Sequence, residues 1–115
     1  MRKKTSTNYS NEKGITSDCP ITSTMLAIGG RWKVIIIWQL KDGPLRFGQL
    51  KRAIPLISEK MLIQQLKALQ EDDWVIKKDY KEIPPKTDYR LSRLGDSFTP
   101  ILKDIYQWGI DNDIA

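Results

Sequence analysis

"LRFGQLKRAIPLISEKMLIQQLKALQEDD", residues 45–73, holds two helix-forming stretches separated by the turn "PLIS". Leu45 and Arg46 read as a short edge strand that leads into a brief helix. That helix must stop before Pro55, because the residue preceding a proline is pushed out of the helical region. Ser58 then stands where an N-cap belongs, its side-chain oxygen available to an unpaired N–H of the first turn. From there a longer helix runs to the acidic cluster at 71–73. Leu62, Leu66 and Leu69, spaced four and three residues apart, give it one apolar stripe. Glu59, Lys60, Ile63, Gln64 and Lys67 fall on the opposite, polar side. A short helix, a tight turn and a longer helix with a polar outer face is the plan of a helix-turn-helix unit.

The next stretch of chain extends the plan. "WVIKKDY" at 74–80 is apolar and β-branched at its start, and "TDYRL" at 87–91 has strand propensity, so the pair predicts a hairpin. Its loop is "KEIPPK". Pro84 and Pro85 cannot donate to a sheet ladder and hold the loop extended without creating an adhesive edge. Either this is an ordinary solubilising hairpin, or it is a wing whose basic tip reaches phosphate or a minor groove while the preceding helix occupies a major groove.

On the N-terminal side, residues 1–17 are rich in Ser, Thr, Asn and Lys without periodicity, and predict a flexible polar arm. "DCPITSTMLAIGG" at 18–30 carries Asp18 or Cys19 as a cap, Pro20 in the first turn and Gly29-Gly30 as a stop. "RWKVIIIWQLKDGPL" predicts a helix from about Arg31 to Lys41 by its length and its Asp-Gly-Pro ending, although its apolar run alone would also suit a buried strand. Trp32, Ile35, Ile36 and Leu40 would share its buried side. On the C-terminal side, "SRLGDSFTPILKDIYQWGIDN" at 92–112 is amphipathic, with Phe98, Ile101, Leu102, Ile105 and Trp108 on one face. The expected fold is mainly α with a small β-hairpin, a winged helix-turn-helix over residues 18–112.

The chain of 115 residues suffices for one modest core but not for a core plus a deep enclosed pocket. Hydrophobic residues make up 40% and charged residues 29%, as in a globular domain. No apolar run is long enough to span a membrane and the polar N-terminus is unlike a signal peptide, so a cytoplasmic protein is expected, with no membrane partner. With one cysteine, Cys19, and no histidine, an internal disulfide and the usual zinc sites are excluded, and no metal or cofactor is expected. The same absence removes Ser-His and Cys-His pairs, and "IGGRWK" lacks the spacing and ending of a phosphate-binding loop. The expectation is a protein that is not an enzyme.

Charge is unevenly placed. The net charge is +5, yet Arg46 to Lys60 carries four basic residues against Glu59 alone, and Lys77 to Arg90 carries five against three acidic. From Asp96 onward only Lys103 opposes Asp96, Asp104, Asp111 and Asp113. A basic middle and an acidic last helix imply a polyanion-binding face and a separate face for another task.

Three stretches then resemble a known family. "CPITSTMLAIGGRWKVIIIWQL", "GPLRFGQLKRAIPLISEKMLIQQLKALQEDDWV" and "YKEIPPKTDYRLSRLGDSF" are similar, in order and spacing, to the HxlR-type winged-helix transcriptional regulators, relatives of the MarR group. Cys-Pro before the first helix, Ile-Gly-Gly-basic-Trp, Gly-Pro-x-Arg-Phe, Ile-Ser-x-Lys-Met-Leu and Pro-Pro before an acidic-Tyr pair carry the likeness, which covers about residues 19–108. The departures are local: the family usually has a small polar residue where Ile63 stands, glycine where Asp73 stands, and valine-glutamate where Thr87 and Asp88 stand. Ile63 could pack on a thymine methyl or against the preceding helix. Asp73 puts the ending of the longer helix in question, since glycine or asparagine takes a left-handed cap more cheaply.

The resemblance implies a homodimer on double-stranded DNA, joined through the first and last helices. Ser58 is a helix cap with a phosphate contact as a further role. Lys60 and Gln64 are candidates for base edges, lysine for guanine and glutamine for adenine, or else belong to a solvated helix face. Arg46, Lys51 and Arg52 are candidates for phosphates, and Lys81 and Lys86 for backbone or minor groove. Phe98, Leu102, Ile105 and Trp108 are candidates for the dimer interface, with ordinary core packing as the alternative. Cys19 matches a cysteine that senses electrophiles or oxidants in part of the family, or is simply structural. The function expected is sequence-specific, operator-binding transcriptional regulation; the alternative is a winged-helix protein-interaction module without DNA. The small-molecule effector stays open.

Overall fold

The computed structural model describes residues 19–114, so the polar arm at 1–17 and the capping candidate Asp18 lie outside the described residues. Among the described residues five helices and one hairpin occur in order: α1 Pro20–Ile28, α2 Lys33–Gln39, α3 Phe47–Ala53, α4 Glu59–Glu71, β1 Val75–Asp79, β2 Thr87–Leu91 and α5 Arg93–Asp111.

The core forms around α2, which packs against α3, α4 and α5. Ile36, Ile37 and Leu40 of this segment are buried together with Ile28, Leu50, Leu62, Leu66, Leu69, Val75 and Leu102. Two expectations for α2 are corrected. Trp32 and Ile35 are only half-buried, whereas Ile37 is fully enclosed, because neighbours surround the helix on several sides and no single stripe defines its inner face. The helix is also shorter than 31–41, with Arg31 and Trp32 in a bend before it and Leu40 as its C-cap.

The turn between α3 and α4 is held by Ile54 and Ile57, both buried, and by a hydrogen bond from the Ile57 N–H to the Ile54 carbonyl at 3.2 Å. Ser58 caps α4 as expected, its Oγ accepting from the Met61 N–H at 3.0 Å. At the other end Asp73 adopts φ +65°. Its N–H donates to Gln70 O at 3.1 Å, and the Trp74 N–H donates to Leu69 O at 2.8 Å. That pair of bonds is the Schellman ending of a helix, made with aspartate in the left-handed position that glycine fills at least cost.

β1 and β2 pair antiparallel with Lys78 opposite Asp88 and Lys77 opposite Tyr89. Of the short strand expected at Leu45 and Arg46 only Leu45 pairs, in a two-bond bridge to Tyr89, Leu45 N–H to Tyr89 O at 3.0 Å and Tyr89 N–H to Leu45 O at 2.8 Å, while Arg46 is already the N-cap of α3. The hairpin therefore touches α4 through β1, and α3 both through β2 and through the bridge that precedes it.

The last helix contains Pro100, which has no N–H for the Asp96 carbonyl one turn back. The Thr99 hydroxyl supplies the missing donor to that carbonyl at 2.8 Å. The inner side of α5 is formed by Gly95, Thr99 and Leu102. A Cβ at Gly95 would fall well inside van der Waals contact of the Trp74 carbonyl oxygen, so glycine at this position permits close approach of helix to hairpin. Among the described residues no helix is long and apolar enough to cross a membrane.

Candidate nucleic-acid interface

The outer face of α4 leaves Glu59, Lys60, Ile63, Gln64 and Lys67 exposed, as the helical spacing predicts. Lys60 and Gln64 lie one turn apart in the N-terminal half of the helix, one turn being the spacing that places two side chains on the same strip. Arg46 immediately precedes α3 and is exposed, with its backbone N–H donating to Gln49 Oε1 at 2.8 Å. Arg52 is exposed in the last turn of α3 and Lys51 beside it is half-buried.

The hairpin adds a second basic element. The Tyr80 N–H donates to Lys86 O at 2.9 Å, closing the ladder beyond the strand ends. Lys81 turns out of it with φ +54°, and its N–H is held by Asp79 Oδ1 at 2.9 Å. Lys78 and Lys86 both place their ammonium groups over the Tyr80 ring, at 4.8 and 4.7 Å from its centroid. Lys86 is half-buried for this reason, while Lys81 projects freely at the tip.

Beneath the tip lies a polar cluster that sequence reading missed. The Tyr80 hydroxyl donates to Asp88 Oδ2 at 2.6 Å, and Arg90 Nη2 reaches both Asp88 oxygens at 3.1 and 3.2 Å and the Tyr80 oxygen at 2.9 Å. Burial alone would raise the Asp88 carboxyl, but the hydrogen bonds from Tyr80 and Arg90, with the charges of Arg90 and Lys78, outweigh it and hold the group below its ordinary value. Tyr80 is correspondingly raised, first by its bond to Asp88. The visible clue was the i, i+2 spacing of Asp88 and Arg90, which puts both on one face of a strand.

Cys19 is the N-cap of α1 and half-buried, and its thiol is lowered from the ordinary value, first by the Thr22 N–H, then by the Ile21 N–H and the Thr22 hydroxyl. This is the helix-start environment that favours thiolate.

The four interface candidates divide. Leu102 is 3% exposed and belongs to the protomer's own core. Phe98 is half-buried and packs edge-on against Trp74 at 5.6 Å. Ile105 at 57% and Trp108 at 61% exposure remain on the outside, flanking a shallow hollow with Ile101 and Asp104. On α1, Ile21 and Met25 are likewise exposed.

Residues 27–113 match the model of the HxlR-like helix-turn-helix family. YkvN, an uncharacterized HTH-type transcriptional regulator of Bacillus subtilis, is 44% identical over 91 residues, covering 79% of this chain and 77% of that protein. Among solved structures, the redox regulator HypR in its oxidized form superposes with a TM-score of 0.76 at 36% identity, covering 81% of this chain and 96% of that one. Quinone-bound YodB from B. subtilis superposes with a TM-score of 0.68 at 31% identity, covering 81% and 99%.

Proposed function

The chain belongs to the HxlR-like helix-turn-helix family and is a transcriptional regulator of the helix-turn-helix type, and from that premise we propose that it binds a pseudo-palindromic operator as a homodimer. The observation that carries this reading is the outer face of α4. Ser58 caps its start, its apolar stripe of Leu62, Leu66 and Leu69 is used by the core, and Lys60 and Gln64 stand exposed on its other side.

In the proposed complex α4 enters the major groove and Lys60 and Gln64 meet base edges. Arg46, Lys51 and Arg52 meet phosphates from α3, Ser58 presents the α4 N-terminus to another, and Lys81 and Lys86 reach the backbone or minor groove from the wing. Two protomers meet through α1 and the acidic α5, where Ile21, Met25, Ile105 and Trp108 are exposed apolar side chains. Half-sites then lie about one or two helical turns apart.

Cys19 is the proposed point of regulation. Its lowered thiol and the likeness to a redox regulator and to a quinone-bound regulator support this reading. The thiolate adds to a quinone ring carbon to form one C–S bond, and the ring takes up a proton to become the hydroquinone thioether. With one cysteine in the chain, a disulfide would join Cys19 of two protomers or a small thiol.

The test is to sequence genomic fragments retained by the purified protein and to measure affinity for the recovered duplex against salt. A common pseudo-palindromic element with steep salt dependence is expected. Absence of any enriched element, or an affinity indifferent to salt, would leave a protein-interaction module as the function. Cys19→Ser is expected to bind the same duplex while losing its response to quinone or diamide; a serine variant that still responds removes Cys19 as the sensor.

A further inference from the structure

We propose that Ile63 reads thymine, by packing its branched side chain on the 5-methyl group that thymine displays in the major groove. This rests on the reading of α4 as the helix that enters that groove.

Ile63 is 53% exposed and is not among the buried or half-buried side chains that form the core. Its neighbours on the surface are Glu59 and Lys60, Gln64 and Lys67, at the i−4, i−3, i+1 and i+4 positions, all exposed. An apolar residue in the middle of such a strip leaves about half of its surface in water. It also costs helix propensity, since β-branched side chains lose rotamer freedom against the preceding turn. The other large apolar groups exposed on the helices are placed elsewhere, Ile21 and Met25 on α1 and Leu94, Ile101, Ile105, Tyr106, Trp108 and Ile110 on α5. Ile63 is therefore separate from the proposed dimer surface.

The chemistry of the groove selects its partner. Guanine, cytosine and adenine offer donors and acceptors there, and an aliphatic side chain facing them leaves those groups unpaired; thymine alone among the four bases adds a methyl. The same rigidity that costs helix propensity fixes the direction of the Ile63 branch. Ile63 lies between Lys60, one turn before it, and Gln64 and Lys67 beyond, so the thymine it touches adjoins the base pairs those residues meet. The result is discrimination for thymine at one position in each half-site.

The test is a methyl scan of the operator duplex recovered from genomic fragments. Each thymine is replaced singly by deoxyuridine, which deletes the methyl and leaves pairing unchanged. Wild-type protein is expected to bind about four-fold more weakly at one thymine per half-site, and about sixteen-fold more weakly when both are replaced. Ile63→Ala is expected to bind the thymine and deoxyuridine duplexes equally, at the level of wild type on deoxyuridine. A scan in which no single replacement changes wild-type affinity by two-fold overturns the proposal without any variant being made. So does an alanine variant, melting as wild type does, that still distinguishes the two duplexes. Failure of the underlying reading has a different signature: Lys60→Ala and Gln64→Ala would then weaken operator and random DNA alike.

Discussion

Replacing Lys81 and Lys86 together by alanine strips the hairpin tip of charge while leaving the helices untouched, and the salt dependence of DNA binding reports how many phosphates are lost. Arg46 and Arg52 are exposed on α3, Lys81 projects from the tip, and Lys86 is stacked over Tyr80 with its ammonium 4.7 Å from the ring centroid. If each of these four and Lys51 meets one phosphate in both protomers, about ten contacts give a slope of log K against log salt near −9, and the double variant, with about six, a slope near −5.4. Between 50 and 200 mM salt the wild type then loses about five decades of affinity and the variant about three. Fluorescence anisotropy of a labelled operator across that range measures both slopes. Random duplex serves as control, since phosphate contacts are lost equally from every sequence. A variant slope within about one unit of wild type would mean that the wing does not touch the backbone, and the tip would return to being a solubilising hairpin.

The Asp88 carboxyl sits below its ordinary value, so its contribution to stability is complete above the unfolded carboxyl value near pH 4 and is lost as pH falls through the folded one. Asp88→Asn should therefore flatten the acid limb of Tm against pH, and an unaltered limb would show that the cluster with Tyr80 and Arg90 is not an ionised one. Ile105→Asp with Trp108→Ala should dissociate the dimer in sedimentation equilibrium, and an unchanged dimer would remove this face from the interface. Leu102→Ala, at a core position, should cost about 2 to 5 kcal/mol in urea unfolding, and a loss below about 1 kcal/mol would contradict its placement there. Asp73→Gly should gain about 0.5 to 1 kcal/mol in the same assay, because the left-handed cap no longer carries a Cβ; a loss of stability would refute the strain assigned to it.

How far the sequence could be read depends on whether one side of an element stays polar. The α4 stripe of Leu62, Leu66 and Leu69 was legible because charged residues fill the other side, and Ser58 was legible because a cap is a local contact. In α2 the run from Val34 to Trp38 has no polar side, so nothing in its spacing singled out Ile37 over Ile35. α5 misled differently. Its apolar residues share one broad face, but the inner side is formed by Gly95, Thr99 and Leu102, and small residues that allow close approach carry little weight in a hydrophobic pattern. The Tyr80, Asp88 and Arg90 cluster was hidden because charged residues in a hairpin read as solvated until strand register places them together.

One junction links the two faces of the molecule. Ser92 separates β2 from α5; its N–H donates to the Trp74 carbonyl at 3.0 Å, and its hydroxyl sits between the carbonyl oxygens of Asp73 and Trp74 while accepting from the Gly95 N–H at 3.1 Å. Asp73 and Trp74 are the residues that terminate α4. The start of α5 is thus hydrogen-bonded directly to the end of α4, with no room at Gly95 for a side chain. Packed junctions of this kind move as units. If two protomers meet through α5, the angle at which the two α5 helices cross sets the separation of the two α4 helices. A modification near α1 that alters that crossing then changes operator spacing rather than the contacts of any one base, and acts on DNA affinity only to the extent that it favours one crossing over the other.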